Sequence, residues 1–382
     1  MLHFNFLNAN LNKKKQRQEI KLNGSAANLP ARLPSLDGLR TLSIAIVIIG
    51  HSFIKVTTPD HGFAKYLSWV VFNGRLGVCI FFVISGFLIT WILRKELEAT
   101  STISLKKFYL GRVLRIFPAY YFYILVVLVG FLLGWIELRR EEILSPVFFY
   151  HNYLPTRQSW WLEHVWSLNV EEQFYFFWPL ILLYFKPKRA GWIALSIIMV
   201  NPLIRWISHR FVPGLPLVHT LHSNLDYLMA GCWVGLMFDQ PWFRRAVALG
   251  ARFHGQYLAA AFVFVLSPLI RGIIGFHEYL HFEGTLVAPC IAFFVIWCVL
   301  NPETFLGKIF NRKSWVYIGT LSYSIYLWQQ PFMPKLDNGI IGYFPLNLIP
   351  IGFLAWCSYQ FLEVPLLKFR SRLRSARIKS LA

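Results

Sequence analysis

Charge is scarce in this chain. Only 15% of its 382 residues are Asp, Glu, Lys or Arg, where a soluble domain usually carries about 25%. That excludes an ordinary soluble enzyme. The charge present is one-sided, with 38 basic against 18 acidic residues for a net +20. Even so, no polar stretch is long enough to fold as a nucleic-acid-binding domain, so no nucleic acid partner is expected. Cysteine is equally sparse. Cys79, Cys232, Cys290, Cys298 and Cys357 lie scattered in or beside apolar runs, a pattern that gives neither a disulfide framework nor a metal site. The histidines show no HExxH or Cys/His spacing, and no metal is expected. The first thirty residues are polar and basic, without the apolar core of a cleavable signal.

Apolar side chains are abundant instead, at 56% of the chain, with aromatics at 18%. Runs such as LGVCIFFVISGFLITWIL and YYFYILVVLVGFLLGW can cross a hydrocarbon core of roughly 30 Å as helices. The pattern predicts an all-α polytopic membrane protein of about ten transmembrane helices. They fall near 37–56, 75–93, 112–135, 166–185, 190–208, 221–238, 256–275, 284–300, 315–333 and 343–364. The apolar piece SPVFFY is too short to span and reads as re-entrant or interfacial.

Counting Lys and Arg sets the orientation. With both termini cytoplasmic, 28 of the 38 fall on the cytoplasmic side, including six after residue 367. That bias fits an even number of spans. Most of the +20 is then explained by topology and by anionic lipid headgroups of the bilayer. A basic tail (1–32), one membrane domain (33–367) and a second basic tail (368–382) complete the expected layout, with the loop 137–165 capping the outer face.

Ionisable residues inside such spans are costly and are functional candidates by default. In LPSLDGLRTLSIAIVIIGHSF, Asp37 and Ser35 can start a helix. Arg40 and His51 then share one stripe, roughly 16 Å apart along the axis, with His51 expected near mid-bilayer. In GRLGVCIFFVISGFLIT, following Arg75, the Ser85-Gly86 pair fits either close helix packing or the wall of a narrow groove. Arg112 and Arg115 share a helix face and read as membrane anchors or as a phosphate clamp. Pro118 should kink their helix. Glu171 and Glu172 enter an aromatic-rich span together, more acid than a solvated helix start requires. Tyr323, Tyr326 and Gln329 add polar tips to a later span, and Glu363 closes the last one. Buried His, Glu and Arg would equally serve a transporter or flippase of a lipid-linked saccharide or small solute, and that reading stays open beside an enzyme.

Taken in order, these phrases resemble the acyltransferase family 3 membrane proteins, which O-acylate carbohydrates and other hydroxyl-bearing acceptors. The resemblance rests on Asp37-Gly38-Leu39-Arg40, the Arg-x10-His spacing to His51, FFVISGFLI, Arg112-x-x-Arg115-Ile-x-Pro118, WSLNVEEQFY, SYSIYLW and Glu363-x-Pro365, over about residues 33 to 367. It implies a ten-helix domain of a bacterial inner membrane that takes an acyl group, most often acetyl, from cytoplasmic acyl-CoA as co-substrate, with no permanently bound cofactor. The acceptor would be a cell-surface, secreted or lipid-linked glycan. The family's essential Arg and His carry over to Arg40 and His51, its donor-linked arginines to Arg112 and Arg115, and its site-lining acid to Glu171. Many members read YLWH where this chain has Tyr326-Leu327-Trp328-Gln329, which shifts weight to His51.

On that basis His51 is the expected general base, with Glu171 orienting it and Arg40 catalytic or donor-facing. Arg112, Arg115 and Ser85 are expected to bind the donor, while Arg75, Tyr326 and Gln329 line the site. Direct transfer and a transient acyl-imidazole both fit, and assembly as a homo-oligomer stays open.

Overall fold

The computed structural model describes residues 33–53, 62–154, 159–334 and 339–370, and the two basic tails fall almost wholly outside this range. Among the described residues the chain is helical, with no strand. Helix α1 spans Pro34–Ser52, α2 Gly62–Val71, α3 Gly74–Thr100, α4 Leu105–Leu132 and α5 Arg140–Leu144. Then come α6 Trp160–Glu163, α7 Val165–Phe211, α8 Leu221–Met237, α9 Pro241–Arg252 and α10 Gly255–Ala261. The chain continues with α11 Ser267–Ile274, α12 Phe276–Leu300, α13 Phe305–Phe310, α14 Lys313–Trp328 and α15 Leu348–Ser358.

Five helical segments are long and apolar enough to cross a bilayer: Gly62–Thr100, Leu105–Leu132, Trp160–Phe211, Gly255–Ile274 and Glu278–Leu300. The fourth and fifth expected spans run together as α7, which breaks at Lys186 with φ 61°. Pro187 follows, and a residue before proline is pushed out of the helical region. The first, sixth, ninth and tenth expected spans coincide with the shorter helices α1, α8, α14 and α15. Helix α1 begins at Pro34, whose fixed φ and missing N–H suit a first helical position. Asp37 is therefore not the cap but a first-turn residue paired with Arg40 at 3.2 Å. Ser35 hydrogen-bonds Asn311 instead. Because α1 ends at Ser52, His51 stands in its last turn.

Helices α3 and α8 cross with their backbones in contact. A Cβ on Gly86 would collide with the Leu228 carbonyl, and one on Gly231 with that of Val83. Small residues at such a crossing let two membrane helices approach without intervening side chains. The 137–165 loop, meanwhile, is tied onto α4 by tyrosine hydroxyls. Tyr120 donates to the Pro146 carbonyl (2.8 Å), Tyr121 to Val147 (3.0 Å) and Tyr123 to Trp161 (2.7 Å). SPVFFY lies in this loop as turns beside the helix, and α4 runs on through Pro118.

Candidate active site

Helices α1, α3, α4, α7 and α14 line a cavity that opens to the outside. Its lining includes Arg40, Ser85, Arg112, Arg115, Ser167, Glu171, Tyr175 and Tyr326, with Phe81 and Phe82 on the apolar side. Residues from five separate sequence phrases meet here.

On α7, Ser167, Glu171 and Tyr175 are spaced by four and so form one stripe. Glu171 accepts a 2.5 Å hydrogen bond from Ser85 on α3, and the Tyr175 hydroxyl lies 3.3 Å from the same Ser85 oxygen. The two residues of the Ser-Gly pair face different neighbours. Gly86 faces α8 across the close crossing, and Ser85 faces the cavity.

Three arginines line the same space. Arg112 stacks over the ring of Tyr175 at 5.2 Å and of Phe108 at 5.7 Å. Arg40 keeps Asp37 as a neighbour. Among the described residues no carboxylate lies within ion-pair distance of Arg112 or Arg115. Among the described lining residues Glu171 is the only acid, so Arg112, Arg115 and the Asp37-paired Arg40 face one lining carboxylate. Such a surplus suits a phosphate-bearing ligand, whose oxygens arginine meets bidentately.

Other expected residues lie elsewhere. His51 is outside the cavity lining, half-buried, its ring set edge-on to Trp160 at 5.8 Å. Arg40 and His51 do share a helix, but eleven residues of rise carry them roughly 16 Å apart, too far for one small chamber. Glu171 turns to Ser85 and not towards an orienting role at His51. Arg75 joins a different buried network, paired with Glu283 on α12 beside the ring of Tyr227. Gln329 is fully buried at the end of α14. Glu363 accepts from Ser324, outside the lining.

Tyr175 and Ser167 were not among the expected site residues, yet both could have been found. Each stands one helical turn from Glu171, so a search along that stripe reaches them. Tyr326 meets Ser167 across helices at 2.6 Å, a contact no local pattern announces. The five cysteines are all free, and among the described residues no cluster of three or more His, Cys, Asp or Glu could hold a metal ion.

A family model described as an acyltransferase domain matches residues 33–359. Relatives include the peptidoglycan O-acetyltransferase OatA of Listeria monocytogenes, 28% identical over 373 residues, covering 88% of this chain and 56% of the relative. The O-acetyltransferase OatA of Staphylococcus aureus is 27% identical over 368 residues, covering 89% and 58%. The putative peptidoglycan O-acetyltransferase YrhL of Bacillus subtilis is 27% identical over 369 residues, covering 87% and 55%. The chain thus spans somewhat more than half the length of these relatives. No solved structure matches it.

Proposed function

This chain belongs to the acyltransferase domain family, and from that premise we propose that it is a multi-pass membrane O-acetyltransferase acting on a carbohydrate hydroxyl. The proposal includes ten spans with both termini in the cytoplasm of a bacterial inner membrane, and acetyl-CoA as the donor. Peptidoglycan, named in the relatives, is the first acceptor to try.

One observation carries the donor assignment: Arg112 and Arg115, with Arg40 beside Asp37, converge on a cavity where Glu171 is the only acid among the described lining residues. The phosphates of coenzyme A would neutralise that surplus, while Phe81 and Phe82 give the pantetheine arm and acetyl group an apolar wall. Ser85, its proton donated to Glu171 and its oxygen met by Tyr175, forms a fixed polar wall along the donor's path. In the reaction an acceptor oxygen attacks the thioester carbon, forming the new C–O bond. The C–S bond breaks, and the thiolate leaves with the electron pair. The acetyl end of the donor would have to pass Tyr326 to reach His51, which stands outside the cavity lining. There His51 would accept the hydroxyl proton, a base contribution typically worth about 10²–10⁴ in rate, and return it to the thiolate or to water.

The test is donor affinity. Arg112→Ala and Arg115→Ala should each weaken acetyl-CoA binding by about 10–100-fold, the worth of a hydrogen bond to a charged group, at unchanged membrane abundance. Wild-type affinity in both variants would remove the donor assignment.

A further inference from the structure

The donor cavity ends at Tyr326 and Ser167, and a second polar group lies directly behind them. The Tyr326 hydroxyl donates to the His164 carbonyl oxygen at 3.0 Å, and the two rings are 5.6 Å apart. The imidazole of His164 is buried, with neither nitrogen bonded to a side chain. Its ring is flanked by Tyr123 at 5.3 Å, with the Leu327 backbone against it.

Two glutamines follow at the end of α14. Gln329 and Gln330 are fully buried, and in both the amide oxygen and the amide nitrogen lack a hydrogen-bond partner. The Gln330 backbone carbonyl accepts from the Trp160 indole at 3.1 Å, which ties this turn to the ring that meets His51. Buried polar atoms left unmade are costly and rare. Here they are gathered in one place, beside the histidine proposed as base.

Their chemistry limits what can complete them. Each amide offers donors and an acceptor, and a neutral imidazole offers one of each. A phosphate or carboxylate, accepting only, would leave the amide oxygens unmet. Hydroxyl groups both donate and accept, and adjacent hydroxyls on a sugar ring do so at fixed spacing. We propose that His164, Gln329 and Gln330 form the acceptor subsite, which takes the hydroxyls of a neutral saccharide on the side of Tyr326 opposite the donor. This rests on the transferase reading above, and it assigns the two substrates to opposite faces of one tyrosine.

The experiment measures binding, not turnover. Purified protein in detergent would be titrated with an N-acetylglucosamine oligomer and, separately, with acetyl-CoA. Gln329→Leu and Gln330→Leu should weaken oligomer binding at least ten-fold and leave acetyl-CoA affinity unchanged. Replacing an unpaired buried amide with an apolar group of similar shape is neutral or stabilising, so a raised or unchanged Tm keeps misfolding out of the result. Oligomer binding equal to wild type in both variants would overturn the subsite, as would a wild-type protein that binds no oligomer. The donor reading fails by a different result, the absence of acetyl-CoA binding in the wild type.

Discussion

Ser85 on α3 donates to Glu171 on α7 at 2.5 Å, and this bond joins the groove wall to the one acid that lines the cavity among the described residues. The glutamate therefore has two functions, fixing the hydroxyl and balancing the cations.

Glu171→Gln separates them. The amide oxygen still accepts from Ser85, but the negative charge is gone. A hydrogen bond to a charged group is worth about 1.5–3 kcal/mol, so acetyl transfer in membranes should fall by roughly 10–100-fold at equal protein abundance. Ser85→Ala should cost less. Full activity in Glu171→Gln would mean that the charge is idle.

Arg40 and His51 occupy one helix but only Arg40 lines the cavity, and their substitutions should part accordingly. His51→Ala should lower kcat by about 10²–10⁴ with acetyl-CoA affinity preserved. Arg40→Ala should raise the donor KM. A matched loss of donor affinity in both variants would contradict the separation.

Beyond the end of α8, Asp239 sits between Arg94 and Arg244, with Lys95 at 2.9 Å. Burial pushes its carboxyl up, but the hydrogen bond from Lys95 and the charges of Arg94 and Lys95 outweigh that and hold it below the usual range. A carboxyl lowered on folding stabilises the protein above its unfolded pKa, about 3.9, and that contribution is lost as pH falls through the folded value. Asp239→Asn should therefore lower Tm at pH 7, with the gap to wild type narrowing below pH ~4. A constant gap across this range would exclude the carboxylate as its source.

Local pattern was enough wherever the physics is local. The polar residues of 163–179 stand out against their aromatic surroundings, and Arg112 and Arg115 share a face because they are three apart. The stripe Ser167–Glu171–Tyr175 was likewise open to reading. Arg75 was not, since its partner Glu283 lies 208 positions away. Nor was the ending of α1 at Ser52, which puts His51 in the last turn of its helix.

The sequence by itself determined that this is a helical membrane protein and which family it belongs to, because hydrophobicity, helical period and motif order are properties of the chain. Only the tertiary structure decided which charged residues meet. Ser85 reaches Glu171, and Tyr326 reaches Ser167, because α3, α7 and α14 pack together. Gly86 and Gly231 allow α3 and α8 to touch. Helix crossings set those encounters, and a crossing depends on two distant surfaces fitting, information that no single stretch of sequence holds.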